Sequence, residues 1–147
     1  MSDKLNRSRI LLNKGNMYWD GEIIADGIKC EIIVTPKVTT SKSLNETVPS
    51  SRWAGIESIK ATVTEYRSTA RAKNLVKNYL ETGETPEVTI QGTQDDENSD
   101  YYEAIGKETV TALGCVPTDA IKILSLDASS DEHLQDEMSF NVKDLKF

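Results

Sequence analysis

From Ile28 the chain alternates: Ile28, Cys30, Ile32 and Val34 fall on one side, with Lys29, Glu31 and Thr35 mostly on the other. A period of two marks a strand with one dry face. Ile59, Ala61 and Val63 alternate in the same way against Ser58, Lys60, Thr62 and Thr64, which predicts a second strand. Upstream, residues 17–25 hold two short apolar runs around Asp20-Gly21. That pair tolerates positive φ at both turn positions, so a compact hairpin is expected there. Residues 1–16 follow neither period, end in Lys14-Gly15-Asn16, and read as an extended arm.

Over 69–82 the period changes. Ala72, Leu75, Val76, Tyr79 and Leu80 fall at i, i+3, i+4, i+7 and i+8, a single apolar stripe that predicts a short helix lying across a sheet. Ser68 or Thr69 is placed to cap its start, and Gly83 sits where a left-handed residue would end it. After Pro86 the strand period returns at Val88 and Ile90. It continues in 109–116, 121–126 and 138–142, with Met138, Phe140 and Val142 on one side of the last segment. Residues 94–100 (Gln-Asp-Asp-Glu-Asn-Ser-Asp) read as a solvated acidic loop. About seven strands in neighbouring pairs and one helix fit a mainly β (α+β) chain, an antiparallel sandwich or barrel, better than βαβ units. One domain covers 1–147, and no repeat of solenoid length appears.

Residues 35–53 form a polar, Thr-rich, β-branched stretch with little to bury, apart from Val38, Leu44, Val48 and Trp53. As two extended sides, each of about nine residues would reach roughly 30 Å. A ribbon of that kind is marginal alone in water. Two readings stand: a mobile surface loop, or a long hairpin ordered by a neighbouring subunit that covers its edges and apolar residues. The arm, with Ile10, Leu11 and Leu12, poses the same question. Ile10, Leu11, Leu12, Val38, Leu44, Val48 and Trp53 are the candidate contacts between subunits. Alternation alone makes the Lys29, Glu31 face and the Ser58, Lys60, Thr62, Thr64 face the polar surfaces to watch.

Composition narrows the choice. Seventeen Lys and Arg against 24 Asp and Glu give a net charge of −7, which disfavours a phosphate-reading role because such binding relies on clustered cations. Two Phe, two Trp and five Tyr leave the core mainly to Ile, Leu and Val. The N-terminal stretch lacks an apolar run long enough for a signal sequence or a membrane span. Cys30 and Cys115 are far apart and outside any CxxC motif, consistent with reduced thiols in an intracellular protein. The two glycosylation sequons, at Asn6 and Asn45, carry no weight without secretion.

Catalytic signals are sparse. His133 is the single histidine and lies in an acidic loop, where it reads as solvated. One His and two distant Cys do not make a zinc site. A calcium loop starting at Asp96 would place Asn98 and Asp100 correctly. It then puts Tyr101 where glycine is needed and Lys107 where the bidentate Glu belongs. Phosphate-cradling and nucleophile-elbow motifs are absent. No cofactor is expected, and an enzyme reading rests only on the abundance of carboxylates.

The order of features resembles the tail tube proteins of contractile-tailed phages, especially those of PBSX-like defective prophages and phage tail-like bacteriocins. The likeness is carried by Met17-Tyr18-Trp19-Asp20-Gly21-Glu22, then a strand into a long hairpin and a strand ending at Thr62-Val63-Thr64-Glu65-Tyr66. It continues with Tyr79-Leu80-Glu81-Thr82-Gly83, Pro86-Glu87-Val88-Thr89-Ile90, Ile121 to Asp127, and Met138-Ser139-Phe140. Together these span about residues 15–144. The hairpin tip departs from the family, with Val48-Pro49-Ser50-Ser51-Arg52 in place of a Gly- and Arg-containing turn, and only Gly55 left of a Gly-rich stretch. The resemblance implies hexameric rings stacked into a hollow tube, with one sheet per subunit joined into a barrel around a lumen. It implies sheath, tape-measure and baseplate partners, and DNA only as passing cargo. A related adaptor, terminator or secretion-tube protein is the alternative.

Overall fold

A computed structural model describes residues 13–45 and 47–147. The first hairpin pairs β1 (Gly15–Trp19) with β2 (Glu22–Ile23). Asp20 and Gly21 take φ of 50° and 87° at its turn, the two positive values that match strand twist. Two long strands follow, β3 (Gly27–Ser41) and β4 (Ser50–Tyr66), then helix α1 (Arg71–Thr82) and β5 (Val88–Gln94). Helix α2 (Asp100–Ile105), β6 (Glu108–Pro117), β7 (Gln135–Asn141) and β8 (Asp144–Lys146) complete the chain.

The eight strands among the described residues are antiparallel in the order β2-β1-β5-β6-β7-β4-β3, and β8 also pairs with β6. β6 turns the sheet. Thr111–Leu113 pair with β8, whereas Val116 and Pro117 pair with β7. Between them Gly114 adopts φ 65°, a left-handed conformation suited to glycine. The two halves of the sheet then face one core. Trp19, Ile90 and Ala112 come from one half, and Ala61, Val63, Met138 and Phe140 from the other. The Trp19 and Phe140 rings meet edge to face across it, 5.6 Å between centroids. Asp20 fastens the hairpin to β5: its N–H donates to the Thr89 carbonyl and its carboxylate accepts from the Thr89 N–H, both at 2.8 Å.

Several expectations need correction. The arm ends earlier than its sequence suggests, because Gly15 and Asn16 already pair with Gln94 and Thr93 of β5. α1 begins after Ala70, without a side-chain cap; Thr69 instead accepts from Arg71 at 3.1 Å. Gly83 does close the helix, with φ 74° and its N–H on the Tyr79 carbonyl. Of the apolar stripe, Ala72 and Leu75 are buried and Val76 half-buried, while Tyr79 and Leu80 are exposed.

The acidic stretch is not simply solvated. Asp96 and Ser99 are buried, and Ser99 caps α2 by accepting from the Tyr102 N–H. Residues 121–126 are not a strand. Two of their carbonyls, on Lys122 and Ile123, accept from the Arg67 guanidinium, so a side chain takes the place of a strand partner.

Candidate functional site

The 35–53 segment is a β-ribbon, not an irregular loop. β3 and β4 stay paired from Thr35↔Ser58 out to Ser41↔Ser50, and residues 42–49 connect them. Bulges follow Thr35 and Lys37. Pro36 is tolerated because β3 is an edge strand and a bulge removes the need for its missing donor. Ser51 and Thr40 hydroxyls meet across the ribbon at 3.3 Å.

Register carries the apolar face of the core outward along this ribbon. The pairs Cys30↔Val63, Ile32↔Ala61 and Val34↔Ile59 sit on the core side, and Pro36↔Ile56 and Val38↔Trp53 continue the same side past the bulges. Burial fades along that row. Ala61 and Val63 are fully buried, whereas Val34, Ile56, Val38 and Trp53 are 39%, 50%, 52% and 66% exposed. Among the described residues, β7 pairs with β4 only from Lys60 to Tyr66, so no third strand runs beside this stretch. A row of uncovered apolar residues continuous with a core marks an interaction surface. Leu44 and Val48, in the connection, are also exposed. Ile10, Leu11 and Leu12 lie outside the described residues.

The opposite side is polar and continuous. Lys29↔Thr64, Glu31↔Thr62, Ile33↔Lys60 and Thr35↔Ser58 are cross-strand partners, so the two polar faces expected from alternation are one surface. β7 extends it with Glu137, Ser139 and Asn141 opposite Thr64, Thr62 and Lys60. Lys29 and Glu31 pair along β3 at 3.3 Å. Ile33 is the apolar exception, exposed on this face. The outer edge of β3, all of Gly27–Ser41, has no strand beside it among the described residues.

Acid–base chemistry finds little support. An open hollow of about 650 Å³ beside α1 has Asp20, Glu22, Glu84 and Glu87 on its lining, all exposed, and Asp20 is already engaged by Thr89. Among the described residues no three His, Cys, Asp or Glu side chains are grouped to hold a metal ion. His133 is exposed, with its ring edge-on to Tyr66. Both cysteines are free: Cys115 is buried, its thiol pushed up to about 11 by burial, and half-buried Cys30 is raised for the same reason. No helix among the described residues is long and apolar enough to cross a membrane.

A family model described as phage tail tube protein matches residues 5–147. The chain belongs to the phage tail tube protein family. The phage-like element PBSX protein XkdM of Bacillus subtilis (strain 168) is 32% identical over 130 residues, covering 85% of this chain and 84% of that protein. Two solved structures share the fold at low identity. A sheath/tube terminator of an extracellular contractile injection system aligns with TM-score 0.70 at 10% identity, over 94% of this chain and 95% of the other. A subunit of a sheath-tube complex from such a system aligns with TM-score 0.69 at 11% identity, over 99% and 95%. The mainly antiparallel sandwich of this tail tube family member is thus the fold of tail-like injection particles as well.

What sequence reasoning missed is the buried ionic brace. Glu65 and Asp136 lie on the core faces of β4 and β7, each with an arginine: Arg71 Nη1 to Glu65 at 2.9 Å, and Arg67 to Asp136 at 2.6 Å. The signal was present, since Glu65 continues the Ala61, Val63 alternation.

Proposed function

We propose that this chain is the inner tube subunit of a contractile phage tail or tail-like particle, a structural component and not an enzyme. It assembles with itself as hexameric rings that stack into a conduit for DNA or for membrane puncture. The observation that carries this reading is the apolar row running from Val34 and Ile56 to Val38 and Trp53, left exposed among the described residues. Roughly 25 cal/mol per Å² is gained when such surface leaves water, and another copy is the partner that a tube supplies at every position. The arm with Ile10, Leu11 and Leu12, and the connection with Leu44 and Val48, add contacts to the adjacent ring.

The polar face of Lys29, Glu31, Ser58, Lys60, Thr62 and Thr64 lines the lumen in this assembly. Its mixed charge, within a chain of net charge −7, gives DNA no stretch of cations to adhere to. DNA passes as non-specific cargo, and no membrane contact comes from this chain. Sheath, tape-measure and baseplate proteins are the other partners, met in the cytoplasm of a bacterial host and kept in the finished tail.

A terminator role is the second reading, since the terminator and the sheath-tube subunit fit with nearly equal TM-scores. Electron microscopy of the purified chain separates them. Tubes of many rings support the inner tube, single closed rings support a terminator, and a strictly monomeric species at high concentration rejects both. Deleting 38–51 should leave a folded domain unable to polymerise; loss of folding would place the ribbon in the core instead.

A further inference from the structure

Residues 120–127 run without turn or bend, yet pair with no strand among the described residues. Their composition, Ile121-Lys122-Ile123-Leu124-Ser125-Leu126, is that of a strand. Ile121 packs against the core, and Arg67 holds the Lys122 and Ile123 carbonyls while clasping Asp136 with three further contacts of 2.6–3.1 Å. Beyond that clasp, Leu124 and Leu126 are 75% and 86% exposed. A strand-like segment anchored by Arg67 at Lys122 and Ile123, with no strand beside it among the described residues and two exposed leucines two residues apart, is suited to sheet addition.

We infer that 121–126 is the seam strand of the assembly and adds to the outer edge of β3 in a second copy of this chain. Among the described residues neither edge has a strand partner, and unpaired edges are templates for each other. Charge favours the match at the ends of the segment: it carries Lys122 itself but is flanked by Asp119 and Asp127, eight residues apart. β3 carries Lys29 and Lys37 against Glu31, two positive and one negative. Arg67 is then a positioning residue: it fixes the root of the seam strand and leaves its tip free to pair. This inference rests on the self-assembling reading above and specifies which backbone edges meet.

Amide hydrogen exchange on the full chain, compared between dilute monomer and assembled particles, tests it. Assembly should slow exchange at least tenfold in both 121–126 and 27–41. Particles in which 121–126 still exchanges freely would overturn the seam while leaving the tube reading intact. Protection of 121–126 without protection of β3 would overturn it equally. If no particles form, both readings fall together. A second variant, Leu124→Ser with Leu126→Ser, should raise the protein concentration needed for assembly by at least tenfold and leave the monomer's Tm unchanged. Unimpaired assembly of that variant counts against the seam.

Discussion

Glu65 of β4 and Asp136 of β7 stand directly opposite each other across the sheet, on its buried face, and each is matched by its own arginine. Two carboxylates in that position would repel each other if left alone. Arg71 reaches Glu65 from the start of α1, and Arg67 reaches Asp136 from the end of β4. The brace thereby joins the helix, two strands and the 118–134 connection at one end of the core.

The pair has a pH consequence. Burial pushes the Glu65 carboxyl above its usual range against the pull of Arg71, and neighbouring Asp136 and Asp26 push the same way. A carboxyl raised in the folded state binds its proton more tightly there than in the unfolded chain. Its stabilising contribution is therefore full below the ordinary Glu value of about 4.3 and is lost as pH rises through the raised value. Glu65→Gln removes the ionisation, so its stability relative to the parent should improve between pH 4 and pH 7. Urea midpoints at the two pH values measure this, and an opposite trend would contradict it.

Arg67→Ala leaves Asp136 buried and unmatched. Breaking a buried pair on one side costs about 3–5 kcal/mol, and the partial exposure of Arg67, 24%, places the expected loss at the low end. The same change frees the Lys122 and Ile123 carbonyls. Chemical denaturation should show the loss, together with faster amide exchange in the core strands that open only on global unfolding.

Val38→Ser with Trp53→Ser probes the ribbon. Both side chains are mostly exposed in the subunit, so monomer stability should change by about 0.5 kcal/mol or less. Assembly, followed by sedimentation, should fail. A stability loss of several kcal/mol would mean that the ribbon packs on its own subunit.

Gly114→Ala tests the bend of β6. At φ 65° an L side chain costs about 1–2 kcal/mol, and its Cβ would lie 2.8 Å from Cβ of Lys143. The expected loss is about 2 kcal/mol or more, read from urea unfolding. Gly83→Ala, at a left-handed position with open space around it, should cost only about 1 kcal/mol.

Local rules made much of this protein legible before its fold was known. Asp20-Gly21 specified the first turn because few other pairs accept two positive φ values, and Gly83 ended α1 for the same steric reason. Alternation in 28–34 and 58–64 separated a dry face from a polar one, since a strand's period depends on nothing beyond the strand. Only the tertiary structure decided what each face meets. Register joined Lys29 and Glu31 to Thr64 and Thr62 as one surface, carried the core's apolar side out to Val38 and Trp53, and placed Glu65 beside Asp136. It also left 121–126 without a partner strand among the described residues, with Arg67, more than fifty residues earlier in the chain, on two of its carbonyls. Those outcomes depend on contacts between residues distant in sequence, which no local pattern encodes.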